Sequence, residues 1–276
     1  MIDLKNFTSE LINKNGIHFA KKESEISYPL SGNQDCYLIE QNSFWFNHRN
    51  DCIVEAVNKY CPESVFFDIG GGNGFVAKSL EDRGIETVLI EPGIQGCLNA
   101  KNRNLTNIVC STLENADFKI NNIEAIGLFD VVEHIEKDVD FLTSIHSFLK
   151  KDGCVFITVP AYQTLWSNED IDAGHFRRYT IKNLEDKLTN IGFKILQSTY
   201  IFSVLPIAVF LFRTIPSKLG LHKNSNDVKK HIGEHKKKTG ILNSILNKIW
   251  ASELNKIRNG NRIWIGGSCF VIARKE

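Results

Sequence analysis

The sequence has no C-x-x-C pair. Its seven cysteines, at 36, 52, 61, 97, 110, 154 and 269, are scattered singly. An odd count without metal-ligand spacing reads as reduced thiols, not as a disulfide framework. Cys110 and Cys154 stand inside apolar, strand-like runs and read as buried. A long apolar run is also missing. The longest, IFSVLPIAVFLF, covers 12 residues from Ile201 to Phe212 and is interrupted by Ser203 and Pro206. A bilayer span needs about 20 residues, so this one is a buried or interfacial segment. The opening MIDLKNFTSELINK has no apolar h-region, so no signal peptide is expected and a cytoplasmic location is. Charge of one sign is lacking too: the net of +1 gives no pointer to nucleic acid. There is no internal repeat and no low-complexity tract. What remains is a 276-residue chain of ordinary globular composition, able to bury one large core or two modest ones.

From Val65 onward, strand-like and helix-like periods alternate. VFFDI, ETVLIE, NIVC, AIGLFD, CVFITV, FKILQSTY and SCFVIARK read as seven strands. Between them, Phe75, Val76, Ser79 and Leu80 recur at helical spacing, as do Val139, Leu142, Ile145, Phe148 and Leu149. Thr180 caps a helix bearing Ile181, Leu184, Leu188 and Ile191, which Gly192 stops. Such alternation implies a parallel sheet with helices on both faces. A lead-in of 64 residues, with a helix expected from Ser43 to Lys59, precedes the first strand.

The loop after the first strand, in VFFDIGGGNGFVA, fits two nucleotide-binding frames. GNGFVA matches G-x-G-x-x-G/A, the dinucleotide fingerprint, in which a helix N-terminus receives a pyrophosphate. DIGGGNG matches D-x-G-x-G-x-G instead. Glu91, 19 residues after Gly72, suits a ribose diol in either frame. Asp68 separates them: its carboxylate would repel a pyrophosphate and suits a ligand carrying a sulfonium and an ammonium. The alternative for Asp68 is a structural cap of the loop.

VFFDIGGGNG, then LIEP, then GLFDVVEHI, in that order and spacing, resembles the class I S-adenosylmethionine-dependent methyltransferases of types 11, 12 and 23. The likeness covers about Trp45 to Gly192 and the final strand. It implies a Rossmann-like α/β fold: seven strands, mostly parallel, the last antiparallel, with an N-terminal helical lead-in and a helical insertion before the last strand. Residues 1–62 would be the lead-in, 63–200 the donor-binding core, 201–261 the insertion and 262–276 the last strand. By the same resemblance Asp68, Gly70, Gly72 and Gly74 line the methionine part of S-adenosylmethionine. Glu91 takes the ribose, Thr112 and Leu113 the adenine, and Phe129 and Asp130 the amino-acid end. Arg49, in FWFNHRN, would pair with the donor's carboxylate if the lead-in helix acts as a lid; plain packing of that helix is the alternative.

Two further segments carry reactive groups. FDVVEHI places Asp130, Glu133 and His134 on one face of a helical turn. It resembles a divalent-ion site of ubiquinone-biosynthesis O-methyltransferases, but the same E-H pair also stands in metal-free relatives, and no metal is expected here. VPAYQTLWSNEDIDAGHFRRYT leaves the fifth strand at the carboxyl edge of the sheet. In it His175 is the candidate general base, with His134 beside it in the catalytic set and Asp170 orienting the base. Trp166, Arg177, Arg178 and Tyr179 are the candidate acceptor contacts, the arginines for an anionic group. A structural knot of Asp170 or Asp172 with Arg177 or Arg178 is the competing reading. The stretch LWS…D…GHFRRYT resembles bacterial methyltransferases linked to glycan or lipid-precursor modification.

The insertion is basic. Arg213 to Gly240 holds eight Lys/Arg and two acids, a net of +6 that leaves −5 on the rest. Beside the apolar run this is consistent with peripheral membrane contact through 201–240, with a lid for a phosphorylated acceptor, or with a solvated loop. The expected function is O-methylation of a small or glycan- or lipid-linked acceptor, not of nucleic acid. A nicotinamide-dependent oxidoreductase and a non-catalytic S-adenosylmethionine-binding module are the alternatives.

Overall fold

The structure, a computed structural model, describes residues 2–22, 32–220 and 241–276. One sheet of nine strands organises it. They are β1 (Leu11–Lys14), β2 (Ile17–Ala20), β3 (Phe66–Ile69), β4 (Thr87–Ile90), β5 (Ile108–Cys110), β6 (Ile123–Phe129), β7 (Leu149–Pro160), β8 (Phe193–Ile201) and β9 (Ser268–Lys275). Their order is β1-β2-β5-β4-β3-β6-β7-β9-β8. The seven strands expected from periodicity are all present, and β9 runs antiparallel to both β7 and β8. The sheet is wider than expected by the hairpin β1–β2, whose second strand adds parallel to β5. Asn15 and Gly16, both at positive φ, make its two-residue turn. The lead-in is therefore part strand, not only helical.

The helices follow the sequence signals closely. In the lead-in, α1 (Gly32–Glu40) precedes α2 (Phe44–Tyr60), which starts where Ser43 Oγ accepts from the Phe46 amide at 3.3 Å. Through the core run α3 (Phe75–Glu81), α4 (Ile94–Asn102), α5 (Asp138–Phe148), α6 (Asn168–Asp172) and α7 (Ile181–Ile191). Thr180 caps α7 and Gly192, at φ 109°, ends it. The insertion holds α8 (Leu205–Val209), a π-helical turn (Phe210–Thr214), α9 (Ile215–Lys218) and α10 (Ile241–Arg258).

Alternation along β3 splits the core between two faces. Phe66 packs with Ile53 and Val57 of α2 and with Trp250 of α10. Phe67 faces the other way, with Leu142 and Ile145 of α5 and Leu184 and Leu188 of α7. Each such side chain contributes about 1.5–3 kcal/mol by leaving water. The insertion is tied to the lead-in by a buried pair, His48 Nε2 to Glu253 Oε2 at 2.9 Å, and Glu253 also accepts from the Phe202 and Ser203 amides. All seven cysteines are free; Cys154 is buried and Cys110 half-buried. Strand order reverses between β3 and β6, so their carboxyl ends open the crevice where such sheets bind ligands.

Candidate functional site

At the end of β3 the chain turns at once through the glycine loop. Gly74 sits at φ 68° as the N-cap of α3, and a Cβ there would lie 2.3 Å from Leu105 Cδ1. A Cβ on Gly71 would lie 2.4 Å from Asp68 Oδ2 and 2.5 Å from Leu89 Cδ1. Only glycine lets the loop backbone rest on the Asp68 carboxyl group. Gly70 and Gly72 also take positive φ and present their backbone to the crevice side of β3.

Asp68 is fully buried, and neither of its oxygens makes a hydrogen bond among the described residues. Burial pushes its pKa up to about 7, against the pull of the Arg49 guanidinium. Glu91, at the end of β4, accepts from the Gly72 amide at 2.9 Å and the Gly93 amide at 2.7 Å. Burial raises its pKa while those two amides oppose the rise. It clamps the glycine loop to the turn after β4, where a ribose diol would be read.

Arg49 of the lead-in helix pairs with Asp130 at the end of β6. Its guanidinium lies over the rings of Trp45, at 4.8 Å, and Phe46, at 5.3 Å. Aromatic packing thus seats Arg49, as the packing reading of α2 expects, and its charge is directed to Asp130 of the chain itself. Asp130 takes φ 58° and accepts from Thr158 Oγ1 at 3.2 Å. The Phe129 ring instead turns into the core, parallel to Phe66 at 6.2 Å, so only its backbone is left for the donor. Leu113 is buried and Thr112 half-buried just beyond β5, Thr112 Oγ1 accepting from the Asn115 amide.

A second group of polar side chains stands at the carboxyl edge of β6. The residues Val132–His134 form a 3-10 turn, and the Phe176 amide donates to the Glu133 carbonyl at 2.8 Å, docking the loop after α6 onto it. This brings Glu133, His134 and His175 together, with one ligand atom of each within 4.8 Å of the others. The His134 and His175 rings meet edge to face at 4.7 Å. Burial, then the neighbouring His175, push the His134 pKa down to about 4, so this imidazole is neutral. Glu133 is fully buried with neither oxygen hydrogen-bonded among the described residues, and burial followed by the Asp130 charge raises its pKa well above the carboxylate range.

His175 Nδ1 bonds Asp170 Oδ1 at 2.9 Å. Asp170 also takes both forks of Arg178, Nε at 2.7 Å and an Nη at 3.0 Å, and closes a capping box with Ser167 at the head of α6. Burial would raise its pKa, but the bonds from His175 and Arg178 outweigh burial and hold it at about 2. The orienting role and the salt-bridge knot therefore coexist on one carboxylate. This corrects the expectation for Arg178, which spends its Nε/Nη2 fork on Asp170 and donates from Nη1 to the Ala161 carbonyl. Arg177 is turned away as well, onto Asp138 at 3.0 Å and the Glu136 carbonyl. Tyr179 does not reach the site: it is buried, and its hydroxyl donates to Asp138 at 2.7 Å. Tyr179→Phe should therefore lower stability by about 1 kcal/mol in thermal unfolding and leave catalysis unchanged. Trp166 is half-buried just before α6.

Glu133 was named in the sequence beside Asp130 and His134, but only the fold shows its carboxyl group buried without a hydrogen bond among the described residues. One contributor escaped the sequence reading. Glu40 of α1 accepts from Asn73 of the loop at 3.2 Å and from Arg103, while Asn99 donates to Asn73 at 2.8 Å. The asparagine inside GGGNG was the only signal for this buttress.

A family model described as a methyltransferase domain matches residues 51–198, more than half of the chain. The chain belongs to this family of class I S-adenosylmethionine-dependent methyltransferases. No curated protein matches it. Among solved structures it is similar to phosphoethanolamine N-methyltransferase 2 of Haemonchus contortus in complex with S-adenosyl-L-methionine, at 17% identity and TM-score 0.54. That match covers 90% of this chain and 57% of the Haemonchus chain, so this chain spans little more than half of that enzyme. The plantazolicin methyltransferase BamL is similar at 13% identity and TM-score 0.53, covering 89% of this chain and 90% of that one. The YcgJ protein of Bacillus subtilis follows at 14% identity and TM-score 0.51, covering 83% and 99%. Identities this low show the shared fold alone. The family's donor is S-adenosylmethionine. The dinucleotide frame GNGFVA is set aside on the same ground.

Proposed function

We propose that the protein moves the methyl group of S-adenosylmethionine to a hydroxyl of a small or glycan- or lipid-precursor acceptor, with His175 as general base. The observation that carries this reading is the Asp170–His175 bond. With its Nδ1 proton donated to an ionised Asp170, the His175 ring keeps the Nε2 lone pair for a substrate proton. As the acceptor oxygen attacks the methyl carbon in line with sulfur, the carbon–sulfur bond breaks and neutral S-adenosylhomocysteine leaves. The hydroxyl proton passes to Nε2. Arg178 fixes Asp170, Asp170 fixes the ring, and neutral His134 packs against its face edge-on. Trp166 is the remaining aromatic candidate for the acceptor side. Asp68, Glu91, Arg49 and Asp130, with the backbone of Gly70, Gly72 and Gly74, would hold the donor, and Thr112 and Leu113 would flank its adenine.

One observation favours a second reading of the same chemistry. Glu133, His134 and His175 form a group whose ligand atoms are close enough for a divalent cation, and the buried Glu133 carboxyl has no other partner among the described residues. Asp170 behind His175 would then serve as the outer partner that metal-bound histidines commonly have. Such a cation would act as a Lewis acid on the acceptor hydroxyl. The test for both is incubation with methyl-labelled donor and fractionated cell extract, with and without a chelator. Label in a lipid, glycan or small-molecule fraction that persists under chelation supports His175 as base. Loss under chelation, restored by a divalent ion, supports the second reading. Label confined to nucleic acid would contradict the proposed acceptor class.

A further inference from the structure

Seven of the sixteen exposed large apolar side chains among the described residues fall in two stretches of the insertion region. Along the continuous helical segment from α8 to α9, Ile207, Phe212 and Leu219 are 69%, 78% and 68% exposed. In the loop before β9, Trp264 is 77% and Ile265 55% exposed. The two stretches adjoin. The Gly267 amide donates to the Phe202 carbonyl at 3.1 Å, and a Cβ on Gly267 would sit 3.4 Å from Leu205 Cβ. Isolated exposed leucines need no explanation, but a contiguous apolar corner does.

Basic groups flank this corner, one of them paired with an acid. Arg262 lies over the Trp264 ring at 4.8 Å, Lys218 is exposed beside Leu219, and Arg213 is held by Glu169 at 2.7 Å. The chain leaves α9 into residues 221–240, which hold six lysines and two acids but only three aliphatic residues, Leu221, Val228 and Ile232. The sequence that follows α9 is therefore strongly basic. A second copy of the chain would bring like charges together. A bilayer with anionic headgroups satisfies both the apolar and the basic groups.

We propose that this corner, Ile207 to Leu219 with Trp264 and Ile265, docks the protein on an anionic membrane surface. No helix among the described residues is long and apolar enough to cross a membrane, so the contact is interfacial. The corner also adjoins the candidate active site. Thr214 Oγ1 donates to the Leu165 carbonyl at 3.0 Å, Ser217 Oγ accepts from the Asn168 amide at 3.1 Å, and Arg213 pairs with Glu169, next to Asp170. Docking there would set the His175 loop at the lipid surface, facing an amphiphilic acceptor. That last step rests on the methyl-transfer reading, whereas the docking itself does not.

The experiment is co-sedimentation of the full chain with vesicles, read without any donor. One set is phosphatidylcholine alone and the other equal parts phosphatidylcholine and phosphatidylglycerol. Binding to the anionic vesicles is expected to be about tenfold or more stronger, and to weaken with salt. The double variant Phe212→Ser, Trp264→Ser should bind about tenfold to a hundredfold less, with thermal unfolding unchanged because both side chains are exposed. Failure of the wild-type chain to bind anionic vesicles would overturn the proposal. So would binding indifferent to the double variant, or a dimer that the variant converts to monomer. Vesicle binding without methyl transfer to any acceptor would leave the docking standing and refute the proposed function alone.

Discussion

Asp68→Asn should stabilise the donor-free protein as pH rises and at the same time weaken its hold on S-adenosylmethionine. The folded-state pKa of Asp68 is raised from 3.8 to about 7 because the carboxyl group is buried. A raised carboxylate pKa makes ionisation unfavourable in the folded state. The resulting destabilisation begins above the unfolded value, grows until about pH 7 and is constant beyond. Its full size is a few kcal/mol, with about 4 kcal/mol as a ceiling from the shift. Asparagine does not titrate, and its own burial term is independent of pH. The variant's stability relative to the wild type should therefore increase between pH 4 and pH 8, a slope that denaturant unfolding at the two values reads directly. Donor binding should move the other way. The sulfonium and ammonium of the donor favour ionised Asp68, so wild-type affinity should climb through pH 7. The asparagine variant should lose that climb and bind about tenfold or more weakly at pH 8. A flat wild-type profile would remove Asp68 from the donor site.

His175→Ala is expected to lower kcat about a hundredfold to ten-thousandfold while leaving the donor Kd unchanged. Only proton transfer is lost, because His175 touches Asp170 and His134 and not the glycine loop. Asp170→Asn should also reduce kcat, because the ring loses the acceptor that fixes its tautomer. It should in addition destabilise the fold by about 3 kcal/mol, since Arg178 is left with an unpaired buried charge. The base role is separated from a merely structural one by the split between kcat and donor Kd: His175→Ala should lower kcat alone. Equal loss of kcat and donor affinity in His175→Ala would contradict the assignment.

The core of the fold was legible because its signals are local and periodic. Ser43, Thr180 and Gly192 each end a helix by satisfying or freeing backbone groups, and each sits where the structure places that end. The hairpin β1–β2 was missed because LINK and IHFA are only four residues each, too short for a period to show, so only Asn15-Gly16 marked it. At the site, the donor loop could be read because glycine has no substitute where backbone must rest on Asp68. The loop LWSNEDIDAGHFRRYT could be recognised as dense in chemistry but not resolved. Its charges have several partners within reach along the chain, and only tertiary packing sends Arg178 to Asp170 and Arg177 and Tyr179 to Asp138. Glu133 is the same case in reverse, since nothing in FDVVEHI reveals that its carboxyl group has no hydrogen-bonding partner among the described residues. The stretch 221–240, including His222, His231, His235 and the lysine run, lies outside the described residues, as does part of the expected membrane-contact segment.

The central claim is that the loop on Asp68 is a methyl-donor cradle. Calorimetric titration of the full chain with S-adenosylmethionine and, separately, with NAD tests it most directly. The account predicts saturable binding of S-adenosylmethionine and of S-adenosylhomocysteine, weakened in Asp68→Asn, and no binding of NAD. Tight binding of NAD with none of S-adenosylmethionine would contradict it.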